Sequence, residues 1–397
     1  MNDCVPHPPA RGFDSMEYET RCAHIQANMR DQNIDVIWCS TEPELLYLTG
    51  YLTQFWQSPT RPWYLLLPQA GKPVAVIPSI GQACMQRTWV NDIRTWSSPD
   101  PFDDGVTLLV DTIRELAGPT PRIGISTSRE TYLRCCIDDR ERIRSALAGA
   151  NWVDSTPAIR SVRQIKSEAE IQKLQYIGNV TSRAFAQIPE MVHTGMSDTE
   201  AFRRFKIACL EHGADDCRYL VGAACAGGYE DIISPPDEHI ISTGDVLILD
   251  TGCVFDGYYS DFDRNFGFSR VDEETKAAHQ RVWDATEAGL ARVKAGVQCS
   301  DVFHAMQKVL LGNDECIPHT QASVGRSGHG LGIELTETPS IAEFDETYLQ
   351  TGMVITLEPG YSYSENKMMV HEENLVVTAD GYRLLSDRAP RDIPILS

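Results

Sequence analysis

Between Gly244 and Phe266 the chain reads GDVLILDTGCVFDGYYSDFDRNF: an apolar run, a tight turn and three closely spaced aspartates. Val246 to Leu249 form a buried strand by their unbroken apolarity. Asp256-Gly257 is a two-residue hairpin signal, because both positions tolerate positive φ. A turn there sets the register, so that Phe255 faces Tyr258, Gly252 faces Asp261 and Asp250 faces Asp263. Side chains two apart share one face of a strand. The spacing therefore predicts Asp250, Asp261 and Asp263 on one side, with Gly252 leaving space between them. Partly buried, three such carboxylates repel one another by several kcal/mol. A bound cation is the simplest relief. The alternative is a solvent-facing acidic patch on an edge strand, against which the apolar flank argues.

Three later segments supply further ligand types. Ser327-Gly328-His329-Gly330-Leu331-Gly332 places a histidine among glycines, where small neighbours permit close approach of a ligand or another backbone. Gly352 to Gly360 is a strand with Glu358 at its apolar end, stopped by Pro359-Gly360. Met369 to Val377 is a strand with Glu372 and Asn374 on one face and His371 on the other. A charged residue in so apolar a strand is costly unless paired or metal-bound. Hard cations take oxygen ligands, and transition ions add imidazole. Two Asp, one His and two Glu would hold two divalent ions, which at such sites lie about 3.5–4 Å apart and activate a water.

Composition narrows the class. Of 397 residues, 42% are hydrophobic and 23% charged, which is globular. Thirty-five basic against 56 acidic residues give a formal charge of −21, so nucleic acid and anionic membrane surfaces are poor partners. No apolar stretch is long enough to span a bilayer. The start, MNDCVPHPPARGFDSMEYET, lacks the basic and apolar regions of an export signal. The 12 cysteines are scattered, with no C-x-x-C, so neither a zinc ribbon nor a thioredoxin-type pair is indicated. Reduced thiols and a cytoplasmic location are the expectation.

The organisation is α+β in two domains. Residues 1–160 alternate helical and strand patterns: a helix over Tyr18 to Asn33, strands at Val36 to Cys39, Trp63 to Pro68 and Val74 to Pro78, a helix over Val106 to Leu116, and a strand at Arg122 to Ile125. A boundary near Ser161 to Ser167 opens residues 161–397. There the capping box Ser167-Glu168-Ala169-Glu170 starts a long helix, and Ser197-Asp198 caps a second that stops at Gly213. The phrase recurs as a helix over Val271 to Lys294, Gly296, then Ser300-Asp301 capping a helix to Leu311. It reads as a weak internal duplication, two helix pairs on one curved antiparallel sheet, or as a coincidence of α+β sequence.

The ordered set Asp250-Thr-Gly with Asp261 eleven residues on, Gly-His329-Gly-Leu-Gly, Leu-Glu358-Pro-Gly and Glu372-Glu-Asn-Leu-Val-Val resembles the pita-bread metallopeptidase family, which includes methionine aminopeptidase, aminopeptidase P, prolidase and creatinase. The resemblance implies a smaller N-terminal creatinase-like domain and a C-terminal pita-bread catalytic domain, in a homodimer. It implies Asp250, Asp261, His329, Glu358 and Glu372 as metal ligands, with Asp261 and Glu372 bridging and Glu358 taking the proton of the water. Two divalent ions are implied, with Mn, Fe, Co and Zn all suited. The activity implied is hydrolysis of a small amide or Xaa-Pro peptide.

The chain also departs from that pattern. No histidine stands in Asp231-Ile-Ile-Ser-Pro-Pro-Asp237, Thr336 replaces a second histidine seven residues after His329, and Val370 stands where prolidases often carry Arg. These positions handle substrate rather than metal. Thr336 and Glu337 are read as replacements, Thr336 binding substrate and Glu337 serving as general acid with a raised pKa. The Gly-His-Gly-Leu-Gly…Leu-Thr-Glu phrase also resembles osmolyte-processing relatives, the dimethylsulfoniopropionate lyases and ectoine hydrolases. A lyase hallmark, an Asp two after the first ligand, is Gly252 here, which counts against elimination. A non-catalytic relative that kept the fold is the third alternative. Trp56 to Trp63, with Arg61 in a Pro-containing loop, is read as a substrate-capping element through Arg61 and Trp63, or as packing.

Overall fold

The computed structural model describes residues 7–312 and 325–397. Cys4, Cys316 and the first six residues of the segment read for an export signal lie outside the described residues. The chain divides into two compact units between Arg163 and Gln164.

The unit Ala10–Arg163 is built on a mixed six-stranded sheet. Its strands are β1 (Val36–Cys39), β2 (Tyr64–Pro68), β3 (Val74–Pro78), β4 (Asp92–Trp96), β5 (Arg122–Ile125) and β6 (Asn151–Asp154), in the order β4-β3-β2-β1-β5-β6. Its helices are α1 (Ser15–Asp31), α2 (Glu42–Thr49), α3 (Gln82–Met85), α4 (Val106–Ala117), α5 (Ile137–Ala146) and α6 (Thr156–Arg163). Val36, Trp38, Tyr64 and Leu66 meet Leu109 and Ile113 of α4 in the core. The elements α2, α3, β4, α5, β6 and α6 were absent from the sequence reading. For α2 a signal existed: Thr41 and Glu44 form a capping box, and Glu44 Oε2 accepts the Ser40 and Thr41 backbone N–H groups at 3.0 and 3.2 Å.

In Gln164–Ser397, the helices α7 (Glu168–Ala186), α8 (Ile188–Met191) and α9 (Asp198–His212) come first. Then follow β7 (Asp216–Val221), β8 (Ala224–Ala226), β9 (Asp245–Phe255), β10 (Tyr258–Tyr259) and β11 (Phe262–Phe268). Next are α10 (Glu273–Leu290), α11 (Cys299–Leu311), β12 (His329–Gly330), β13 (Glu337–Ser340), β14 (Val354–Leu357), β15 (Gly360–Ser364), β16 (Lys367–Val370), β17 (Glu373–Val377), β18 (Tyr382–Leu384) and β19 (Ile395–Leu396). The strands hydrogen-bond as a six-stranded sheet centred on β9, a five-stranded sheet in the order β13-β12-β14-β17-β18, and the ribbon β15-β16. Among the described residues of this unit, all strand pairings are antiparallel except β11 with β19.

Strand β9 separates two cores. Leu247, Leu249, Cys253 and Phe255 pack with α7 and α9, whereas Val246 and Ile248 pack on the side of α10 and α11. The α7 capping box forms as read: Ser167 Oγ accepts from Glu170 N and Glu170 Oε2 from Ser167 N, at 3.3 and 2.9 Å. The expected Ser300-Asp301 cap does not form. Helix α11 begins at Cys299, with Gln298 at its N-cap and no side-chain cap bond. Its first free N–H groups are taken by backbone instead, Cys299 N by the Thr347 carbonyl and Ser300 N by the Asp345 carbonyl. No helix among the described residues is long and apolar enough to cross a membrane.

Candidate metal centre

The hairpin forms in the expected register. Asp256 and Gly257 both take positive φ, Tyr258 pairs with Phe255, and Asp263 pairs with Asp250. Asp261 falls in the break between β10 and β11, with its backbone N–H held by Asn374 Oδ1 at 2.8 Å. The Asn374 amide also donates to the Asp261 carbonyl. One side chain of β17 thus fixes both backbone polar groups of Asp261. The acidic face is not a solvated edge: Asp261 and Asp263 are 4% and 1% exposed. Gly252 corrects the reading in one respect. The space above its Cα is filled by Leu335, Tyr219 and Tyr259, so it is taken by protein and not left open between the carboxylates.

The distant segments converge on this face. Ligand atoms of Asp261, His329 and Glu372 all lie within 4.8 Å of one another. His329 Nε2 stands 3.5 Å from Asp261 Oδ2 and 3.5 Å from Glu358 Oε1. The glycines around His329 serve backbone approach: a Cβ at Gly328 would run into the Thr356 carbonyl, and one at Gly330 into the Thr338 carbonyl. His329 Nδ1 lies 2.9 Å from the Gly330 carbonyl, which can only accept, so Nδ1 carries the proton and Nε2 turns a lone pair toward the carboxylates. Burial pushes the His329 pKa down to about 4, which keeps the ring neutral.

The carboxylates are pushed the other way. Burial lifts Asp250 to about 7, and burial plus the Asp250 charge lifts Glu358 to about 8. Asp261 and Glu372 rise well above the ordinary range, first from burial and then from each other's neighbours: Asp250 and Glu358 act on both, and Asp261 on Glu372. Asp250 Oδ1, Asp263 Oδ1 and Glu372 Oε1 are buried with no hydrogen-bond partner. Orphaned buried carboxylate oxygens beside a neutral imidazole lone pair are a donor set that divalent cations complete. Asp250, Asp261, His329, Glu358 and Glu372 therefore fit such ions.

Behind Glu372 a cationic network holds its strand. Arg264 donates to the Glu372 carbonyl at 2.9 Å and to Glu373 Oε2 at 3.0 Å, and Arg388 reaches Glu373 Oε1 at 3.0 Å. His371 joins this network through Thr286 and Arg388; it and Glu372 lie in the break between β16 and β17, where a single strand over 369–377 was expected. Val370 is buried in the core on the α10 side.

The substrate-side expectations fare differently. Glu337 is buried, its Oε2 3.0 Å from Lys166 Nζ and its Oε1 accepting the backbone N–H groups of Ile333 and Glu334. Both Glu337 oxygens are thus engaged by partners within the protein. Thr336 is half-buried just before β13. Trp63 is fully buried in its own unit against Tyr51 and Gly81, so it presents no wall to a substrate. Arg61 stacks over Phe55, and its carbonyl, with those of Phe55, Ser58 and Thr60, is gathered by Arg134. Two neighbours escaped the sequence reading. Tyr219 hydrogen-bonds the Asp250 side chain, and Arg326 is a positive charge that opposes the upward shifts of Asp261 and Glu358. Arg326 stands three residues before His329, where a cation next to a ligand phrase was the available signal.

Known proteins share both parts of this fold. Residues 21–165 match the creatinase/prolidase N-terminal domain. The structure is similar to a prolidase from Thermococcus sibiricus, with TM-score 0.84 and 23% identity over 96% of this chain and 100% of that one. It is similar to the dipeptidase PepE from Mycobacterium ulcerans, with TM-score 0.82 and 23% identity over 98% and 100%. It also resembles an X-Pro aminopeptidase from Thermotoga maritima MSB8, with TM-score 0.78 and 20% identity over 94% and 99%. These likenesses show the two-domain fold with a C-terminal pita-bread domain. Residues 172–379, just over half of the 397, match the model of metallopeptidase family M24, and the chain belongs to that family of metal-dependent peptide hydrolases.

Proposed function

We propose that the protein is a two-metal dipeptidase that hydrolyses Xaa-Pro or similarly small amide substrates. The observation that carries this reading is the set of buried carboxylate oxygens without partners, in a cluster where His329 Nε2 stands 3.5 Å from Asp261 and from Glu358. Asp250, Asp261, His329, Glu358 and Glu372 are the proposed ligands, with Asp261 and Glu372 shared between two ions. Bound divalent ions supply Lewis acidity toward the substrate carbonyl and lower the pKa of water. Glu358, with its side chain 23% exposed, is the proposed acceptor of the water's proton. His329 is kept in one tautomer by the Gly330 carbonyl, and Asp261 is kept in place by Asn374. The similarity to a prolidase and to a dipeptidase supports the substrate class.

The test joins metal analysis to a substrate panel of Xaa-Pro dipeptides, cyclic amides and sulfonium osmolytes, with Mn, Fe, Co and Zn added in turn. New amine and carboxylate from a dipeptide is the expected outcome, with close to two ions per chain. An alkene product from an osmolyte would replace hydrolysis with elimination. A chain that binds no divalent ion and ignores chelators would end the reading.

A further inference from the structure

On the opposite face of β9 from Asp250 lies a second cluster of ligand type. Cys209 from α9, Cys217 from β7 and Cys253 from β9 bring their sulfurs within 4.8 Å of one another, and the Cys217 and Cys253 sulfurs are 3.3 Å apart. All three are free thiols, 0%, 4% and 0% exposed. They come from three elements, with Cys217 eight positions after Cys209 and Cys253 a further 36 on, and no C-x-x-C motif announces them.

A backbone irregularity builds the cluster. Cys217 pairs with Cys253 and Tyr219 with Gly252, so β7 carries one extra residue, Arg218, at this point. In a regular strand Cys217 and Tyr219 would share a face. The extra residue changes the phase, so Cys217 meets Cys253 while Tyr219 stays beside Gly252 and Asp250. The cluster shares its core with Phe205, Phe255 and Ala208. The Thr251 hydroxyl lies 3.5 Å from Cys253 Sγ, and Lys206 Nζ is 3.3 Å from the Cys217 carbonyl, so a cation and a weak donor stand beside the trio.

We propose that Cys209, Cys217 and Cys253 form a closed trigonal site for a soft d10 metal cation, separate from the oxygen-ligand centre. A metal–sulfur bond of about 2.3 Å in a planar three-sulfur site sets the sulfurs about 4 Å apart, inside the 4.8 Å that bounds this cluster, and the 3.3 Å Cys217–Cys253 pair opens by well under 1 Å to reach it. Thiolates select such ions over the hard divalent cations suited to carboxylates. Binding exchanges the thiol protons for the cation and releases them to solvent, with no change of oxidation state. Because the sulfurs are buried, the ion enters while the chain folds.

The test uses the full chain produced with Cd(II) in the medium as the probe, then treated with EDTA to clear the carboxylate centre. The expected result is one EDTA-resistant Cd per chain with sulfur-to-metal charge-transfer absorption, retained in Asp261→Ala and lost in Cys253→Ala and Cys217→Ala. X-ray absorption on the unmutated protein guards against variants that fail to fold, and three sulfur neighbours around Cd are expected. No EDTA-resistant metal, a shell of oxygen and nitrogen only, or a Cys217–Cys253 disulfide in the purified chain would each overturn the proposal.

Discussion

The two faces of β9 bury different chemistry, and the difference lies in what burial costs. Asp250 and its neighbours face one side, where Asp250 Oδ1, Asp263 Oδ1 and Glu372 Oε1 have no hydrogen-bond partner. Cys253 faces the other side, among apolar side chains and two further thiols. A carboxylate withdrawn from water must be neutralised, by a proton or by a cation. A thiol is a small, weakly polar group that packs without a partner. Metal on the acidic face is therefore coupled to the charge state of the fold, while metal on the sulfur face is an option that the fold survives without.

Substitutions can break or sharpen this contrast. The largest effect is expected for Asp261→Ala, which should remove metal from the acidic face and peptidase activity together, measured by elemental analysis and dipeptide hydrolysis. Full activity in that variant would take Asp261 out of the site. Glu358→Gln keeps the side-chain shape but gives up the proton acceptor, and kcat should fall by about 10²–10⁴ with the fold retained. Asn374→Ala frees the Asp261 backbone, and metal affinity read by competition with a chelator should weaken by about 10–100-fold.

Acid should separate the faces without any mutation. In the metal-free protein Glu358 sits at about 8 and Asp250 at about 7, both above the ordinary carboxyl range. Carboxyls raised by folding stabilise the native state when protonated, and that contribution is lost as pH climbs through 7 and 8. The melting temperature of chelator-treated protein should rise on acidification from about pH 8 to about pH 5, and added divalent ions should flatten that rise. A melting temperature that falls steadily over the same window would contradict the buried acidic cluster. The smallest change is expected from the sulfur side. Thr251→Val removes a hydroxyl that donates to the Tyr219 carbonyl at 3.2 Å. It should cost about 1 kcal/mol in denaturant unfolding and leave activity intact.

Much of the acidic face was legible because its information is local. The Asp256-Gly257 turn and the two-residue period fix which aspartates share a side, and both are properties of neighbouring residues. The capping box at Ser167 formed for the same reason. The Ser300-Asp301 cap failed because carbonyls of Thr347 and Asp345, more than forty residues on, satisfied those N–H groups first. Glu337 likewise resembled a free acid in sequence until Lys166 was seen beside it, 171 residues away.

By itself the sequence determined the hairpin, its register and the kinds of ligand on each strand, since backbone period and turn chemistry act over a few residues. Tertiary structure alone decided that His329 offers Nε2, that Leu335 fills the space over Gly252, that Trp63 is core, and that three scattered cysteines meet. Those outcomes depend on which distant segments fold against one another, and on one extra residue in β7. No short window of sequence carries either.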